Sequence, residues 1–415
     1  MSTAAASAPS AEPVDIPLII SVDDHVVEPP DLWTSRLPAA RRDEAPKIVR
    51  RKTKFAFSTA GLKIEKDIDD GEWCDFWEYA DLSTPFPKTG AWIGLDNIEW
   101  TPVTYDQLHP ATWKQPERLQ SMTDNHVEVS MCFPNTLPRF CGQTFYERGD
   151  RDLSLLCVQA YNDWIIDDWC GGAGQGRLIP ITIIPLWDPD LAAKEIHRCA
   201  AKGSYNVTFS ESPSKLGLPS VHAKGHWDPF FRACEETDTV VNMHIGSSSQ
   251  MFSTSLDAPF CVSSTLTFSN AMGSLCDFIL GGVLARHPKL RVAYSEGQVG
   301  WAPYVLERAD KLWKERGREG VFGVDLPEAP SSYIDGRVFF CIFDDEVGLA
   351  NRERIGMDQL TFEVDFPHAD TTWPHTLKVA TDICAKAGLT QDETYKLMRG
   401  NAIRAFGLHR YGITA

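Results

Sequence analysis

Apolar, largely β-branched runs recur along this chain, and between them apolar positions fall three and four residues apart. The runs predict strands at Ile19–Val26, Val127–Pro134, Leu178–Leu186, Tyr205–Ser210, Val240–Gly246, Arg291–Glu296, Val338–Phe343 and Leu360–Phe366. The spacing between them predicts helices, among them Leu191–Ala201, Trp227–Glu236 and Leu275–Arg286, with a last helix near 391–406. Strands that alternate with helices imply parallel pairing, because a parallel neighbour is reached only through a crossover. The segment LIPITIIPL (178–186) is apolar at nearly every position, as a strand covered on both faces must be. Eight such strands closed by a final helix predict an α/β fold: a single (β/α)8 TIM-like barrel over residues 16–410. An open, doubly wound sheet is the alternative.

Residues 28–113 break the alternation. They are rich in Trp, Phe and Pro (DGEWCDFWEYADLSTPFPKTGAWIG) and follow the first predicted strand, so in a barrel they form a long insertion above the catalytic face. Two uses fit: a packing or subunit-interface element, or a lid lining a substrate pocket. On the second use Trp73 and Trp77, together with Trp373 near the C-terminus, are candidate substrate-binding residues. Residues 1–15 are small or proline-containing and read as a disordered lead.

Charge narrows the partners. A formal net charge of −17 disfavours nucleic acid and anionic membrane, both of which call for a basic surface. No apolar run reaches the roughly 20 residues that span a bilayer, and the first residues lack the basic and apolar regions of a secretory signal. Eleven cysteines, odd in number and without a CxxC pair, fit reduced thiols in a cytoplasmic protein better than a disulfide framework.

The chemistry collects at strand ends. The first strand ends in Asp23-Asp24-His25, and residues two apart on a strand share a face, so Asp23 and His25 project together into the barrel mouth if Val22 and Val26 face the helices. Such a pair binds metal or forms a satisfied buried couple. The fifth strand ends at His244, followed by Ile245, Gly246 and three serines. The eighth ends at Asp365, with His368 three residues on. Ionisable groups are costly to bury unpaired, yet three strands each deliver one or more to the same end. Together Asp23, His25, His244 and Asp365 predict a divalent transition-metal site, best suited to zinc, with manganese or iron as alternatives.

These positions also carry a family resemblance. VDDHVVEPPDLW (22–33), MCFPN (131–135), AYNDW (160–164), RLIPITIIPLWDP (177–189), MHIGSS (243–248), EGQVGWAPYVLERAD (296–310), VDFPHAD and WPH (364–375) run in order along the chain. In these the sequence resembles the amidohydrolase-related (amidohydrolase 2) group that includes aminocarboxymuconate semialdehyde decarboxylase and the resorcylate and carboxyvanillate decarboxylases. The resemblance implies that Asp23-x-His25 stands for the first-strand metal motif, His244 for the fifth-strand ligand and Asp365 for the eighth. It also implies a homodimer. One position departs: where the decarboxylases carry a catalytic His after the sixth strand, this chain has Glu296 in Tyr-Ser-Glu-Gly. Glu296 could serve as a general base, a further ligand, a bridge to a second metal, or the partner of an arginine such as Arg308.

The expected activity is hydrolysis of an amide, ester, lactone or thioester, or of a C–C bond beside a carbonyl, through a metal-activated water. Asp365 is then ligand and base, Glu296 assists proton transfer, and His368 orients Asp365 or donates a proton. The alternative is non-oxidative decarboxylation of an aromatic or muconate-like acid. Either way the partner is a small, apolar or aromatic acid derivative. A binding protein on a dead barrel is a third reading, weakened by retention of every ligand type.

Overall fold

The computed structural model describes residues 14–58, 61–86, 88–93, 101–316 and 326–414; most of the predicted disordered lead lies outside them. Twelve strands among these residues follow in chain order. They are β1 (Ile19–Val26), β2 (Lys47–Ser58), β3 (Gly61–Lys66), β4 (Glu72–Tyr79), β5 (Leu82–Pro85) and β6 (Val127–Pro134). There follow β7 (Leu178–Pro180), β8 (Asn206–Thr208), β9 (Val240–His244), β10 (Val292–Ser295), β11 (Val338–Ile342) and β12 (Leu360–Phe362). The eight strands outside the insertion are all parallel, in two sheets ordered β1-β6-β7 and β12-β11-β10-β9-β8.

The edges of these sheets meet. A parallel bridge pairs Thr182 with Val207, with Thr182 N donating to Asn206 O at 3.0 Å and Thr208 N to Thr182 O at 2.8 Å. At the other seam Asp365 N donates to Asp23 O at 2.9 Å and His25 N to Phe366 O at 2.7 Å. Several strands are shorter than their apolar runs: β7 ends at Pro180, β8 spans three residues and β12 ends at Phe362. The predicted helix over Leu275–Arg286 is in fact two, Ser269–Leu280 and Val283–Arg286, separated by Gly281 and a left-handed Gly282.

One face of the parallel strands carries Ile20, Val22, Val129, Met131, Phe133, Ile179, Ala293, Phe339 and Cys341, closed off by Ala402, Ala405, Phe406 and Leu408 of the C-terminal segment. The other face, with Ile19, Val26, Val241, Met243, Tyr294, Phe340 and Phe362, packs under the helices. Val22 therefore faces inward, not toward the helices as strict alternation from Asp23 requires. The reason is a bulge in β1: Ser21 pairs with Ser130 but Asp24 with Cys132, three residues against two. A bulge shifts all later side chains to the opposite face, so Ile20, Val22, Asp23 and His25 all serve the interior. Asp24 turns outward to Ser130 Oγ and the backbone N–H of Phe366.

Between β1 and β6 the chain forms an antiparallel sheet ordered β3-β2-β4-β5. Its apolar residues Phe76, Trp77 and Tyr79 are buried, with Trp77 edge-on to Trp33 and Tyr79 edge-on to Phe145. After β5 the insertion meets the segment that follows β12, where Trp92 N donates to Pro367 O at 3.0 Å. All eleven cysteines are free, nine of them buried.

Candidate metal centre

Asp23, His25, His244 and Asp365 meet inside the parallel strands, all fully buried. His25 Nε2 lies 3.0 Å from His244 Nε2, 3.5 Å from Asp23 Oδ1 and 3.5 Å from Asp365 Oδ1. His244 Nε2 lies 3.5 Å from Asp23 Oδ2 and 3.6 Å from Glu296 Oε2. Donors set tetrahedrally about 2.1 Å from one ion are about 3.4 Å apart, so these spacings fit a single divalent transition metal.

Two further observations favour a cation. His25 Nδ1 donates to the carbonyl of Pro134 at 3.2 Å and His244 Nδ1 to that of Ile245 at 2.6 Å. Carbonyls only accept, so both Nδ1 carry the proton and both Nε2 lone pairs point at each other, a repulsion that an ion between them removes. Both oxygens of Asp23 and both of Asp365 are also buried without a hydrogen-bond partner. Burial lowers His25 far below the ordinary imidazole range and His244 to about 4, keeping both neutral. It raises Asp23 and Asp365, with Glu363 and Glu296 adding repulsion.

Glu296 and His368 complete the group. Both Glu296 (φ 48°) and Asp365 (φ 56°) adopt the left-handed backbone region, which side chains other than glycine rarely enter. Such a turn costs on the order of 1 kcal/mol and persists only where its surroundings hold it. Here Glu363 Oε2 accepts the Glu296 N–H at 3.1 Å and Asp23 O accepts that of Asp365. His368 Nδ1 comes within 2.9 Å of Asp365 Oδ1, poorly aligned for a hydrogen bond, and within 4.0 Å of Glu296 Oε1, while its ring stacks on His25 at 3.9 Å. Burial opposes ionisation of Glu296, but His244 and His368 outweigh it and bring the carboxyl down to about 2. The ion-pairing groups within 4.0 Å of it among the described residues are these histidines rather than Arg308.

A cleft of about 540 Å³ opens onto Glu296 and is walled by Phe140, Phe260, Phe268, Phe343, Met251 and Ile245, with Asp370 at its rim. Phe140 stacks on His244 with centroids 4.2 Å apart. No tryptophan is among the described residues lining it. Trp73 is 54% exposed with Lys52 over its ring, and Trp77 is buried with its Nε1 on Thr136. Trp373 lies edge-on to Phe366 and borders a separate cleft with His109. The aromatic wall comes instead from segments after β6, β9 and β11, whose phenylalanines carried no signal beyond ordinary apolar content. Glu363 was also missed, although it stands two residues before Asp365 on the same face. Burial raises it to about 8.

A family model for amidohydrolases matches residues 73–408. The chain belongs to the amidohydrolase family. An amidohydrolase from Mycobacterium avium subsp. paratuberculosis is similar at 19% identity over 94% of this chain and 99% of its own, with a TM-score of 0.67. A 5-carboxyvanillate decarboxylase from Novosphingobium aromaticivorans, complexed with manganese, is 18% identical over 70% of this chain and 79% of its own, at a TM-score of 0.55. A 2,6-dihydroxybenzoate decarboxylase from Rhizobium is 18% identical over 72% and 90%, at 0.54. These identities speak for shared fold. The likeness to the decarboxylases is the one the motifs of the sequence imply. No helix among the described residues is long and apolar enough to cross a membrane.

Proposed function

We propose that this amidohydrolase-family chain is a metal-dependent carbon–carbon lyase that decarboxylates a small aromatic or muconate-like acid without oxidation. The two seams between the parallel sheets support reading them as one closed (β/α)8 barrel, with the antiparallel sheet as its insertion. Asp23, His25, His244 and Asp365 would hold the metal, with manganese and zinc both compatible with the donors. When bound, the ion would supply positive charge to orient a substrate carboxylate and a neighbouring oxygen.

The observation that carries this reading is the Asp365–His368 approach at 2.9 Å, with His368 4.0 Å from Glu296, which lines a cleft walled by four phenylalanines. Decarboxylation needs a flat slot for the ring and a proton for the carbon that loses CO2. His368, 14% exposed and 2.9 Å from buried Asp365, would deliver a proton to that carbon as its bond to CO2 breaks. The aromatic-acid decarboxylases among the similar structures support the same choice.

A second reading, hydrolysis of an activated acyl group, is favoured by one observation. The described residues lining the cleft include the carboxylates Glu296 and Asp370 and no Lys or Arg, which repels a free acid and suits a neutral ester or lactone. Glu296 would then be the base. Metal-loaded protein offered hydroxybenzoates and carboxyvanillate should release CO2, and aryl esters and lactones should be spared. Turnover of the esters without CO2 release would replace the first reading by the second.

A further inference from the structure

We propose that a second divalent-cation site lies below the first, formed by Cys341, Glu363 and Asp23, with Asp23 bridging the two ions. The proposal rests on reading Asp23 as a ligand of the first metal. Cys341 and Glu363 stand at inward positions of the adjacent strands β11 and the extension of β12. Their donor atoms and one from Asp23 all lie within 4.8 Å of one another. All three residues are at most 1% exposed.

Hydrogen bonding leaves this cluster incomplete. Glu363 Oε2 accepts the Cys341 S–H and the Glu296 N–H, but Oε1 has no partner, and neither has either oxygen of Asp23. With Oε2 engaged by two donors, a proton on Glu363 would sit on Oε1 and face no acceptor. A cation there meets Oε1, an Asp23 oxygen and the Cys341 sulfur at once.

Charge points the same way. Asp24 is provided for by Ser130, the Phe366 N–H and the nearby Arg118 guanidinium. Asp23, Glu296, Glu363 and Asp365 remain, and one dication offsets two of their four charges in a poorly solvated interior. A second meets the remaining two together with the Cys341 thiolate formed on binding, leaving a single negative charge. A thiolate beside carboxylates suits zinc, cobalt or iron over magnesium or calcium. On binding, the Cys341 S–H bond breaks, an S–metal bond forms, and the proton leaves to solvent. The ion would also fix Glu363, and through it the left-handed turn that presents Glu296.

Cobalt(II) titration of the metal-free full-length protein tests this, following bound equivalents and near-ultraviolet absorption. The first site contains no sulfur, so a thiolate-to-cobalt charge-transfer band reports the second alone. Two equivalents and one such band are expected. Cys341→Ser should lose the band, while Cys261→Ser, removing the exposed thiol, should keep it. Glu363→Gln should weaken the second equivalent about tenfold or more. His244→Ala should weaken the first equivalent and retain the band. One equivalent without a band overturns the second site and leaves the first standing, whereas no bound cobalt overturns both. A band that persists in Cys341→Ser overturns the assignment to this cluster.

Discussion

At the scale of single residues, the division of labour between Glu296 and His368 decides the reaction. Glu296 is 22% exposed at the floor of the cleft, and its neighbours hold it ionised. A fixed anion there serves as a base for water but repels a carboxylate substrate. If decarboxylation is the reaction, His368→Gln should lower kcat by roughly 10²-fold, as for loss of a proton-transfer group. Glu296→Gln should then leave kcat within about tenfold and lower KM. Hydrolysis reverses the order, so steady-state kinetics of the two variants on an acid and an ester would show which holds. His244→Ala should lose most of the first metal by elemental analysis, because its Nε2 faces His25 at 3.0 Å with its own Nδ1 already committed to Ile245. Full occupancy in that variant would place the metal elsewhere.

At the scale of elements, the strands were legible because each is a short apolar run between turn residues, and β1 and β6 have the predicted bounds. The convergence of Asp23, His25, His244 and Asp365 was legible for the same reason, since each lies near or just beyond the C-terminal end of a parallel strand. The bulge in β1 was not, because IISVDDHV alternates no differently with or without it. Only the pairing of Asp24 with Cys132 reveals the switch of face. The antiparallel sheet of the insertion was hidden too, its pattern broken by charged residues that pair across strands, such as Arg50 with Asp75 and Arg51 with Glu78. Trp77 belongs to the core of that sheet, so Trp77→Ala should destabilise the fold by about 3–5 kcal/mol in denaturant melts. Phe260 is 86% exposed at the cleft wall, and Phe260→Ala should raise KM several-fold with unchanged melting. A KM effect confined to Trp73 or Trp77 variants would instead favour the insertion as the lid.

At the scale of the whole molecule, the buried charges tie stability to both pH and metal. Without an ion, burial raises Glu363 from an ordinary 4.5 to about 8 and raises Asp23 and Asp365 as well. The native state then binds more protons than the unfolded chain above the ordinary carboxylate range, and these groups lose stability as pH rises toward about 8. The histidines act oppositely: His244, lowered from 6.5 to about 4, adds stability as pH rises through that interval and nothing more above it. Above pH 6.5, the ordinary histidine value, the change that remains within this buried group comes from its carboxylates. Metal-free protein should therefore melt at progressively lower temperature from about pH 6.5 to about pH 8. Metal binding expels the same protons, so affinity rises with pH and the gap in Tm between metal-loaded and metal-free protein should widen across that window. Thermal melts of both forms at fixed ionic strength measure the effect. A metal-free Tm that stays level or climbs there, with a metal-induced shift indifferent to pH, would mean that these carboxylates are not held protonated for want of an ion.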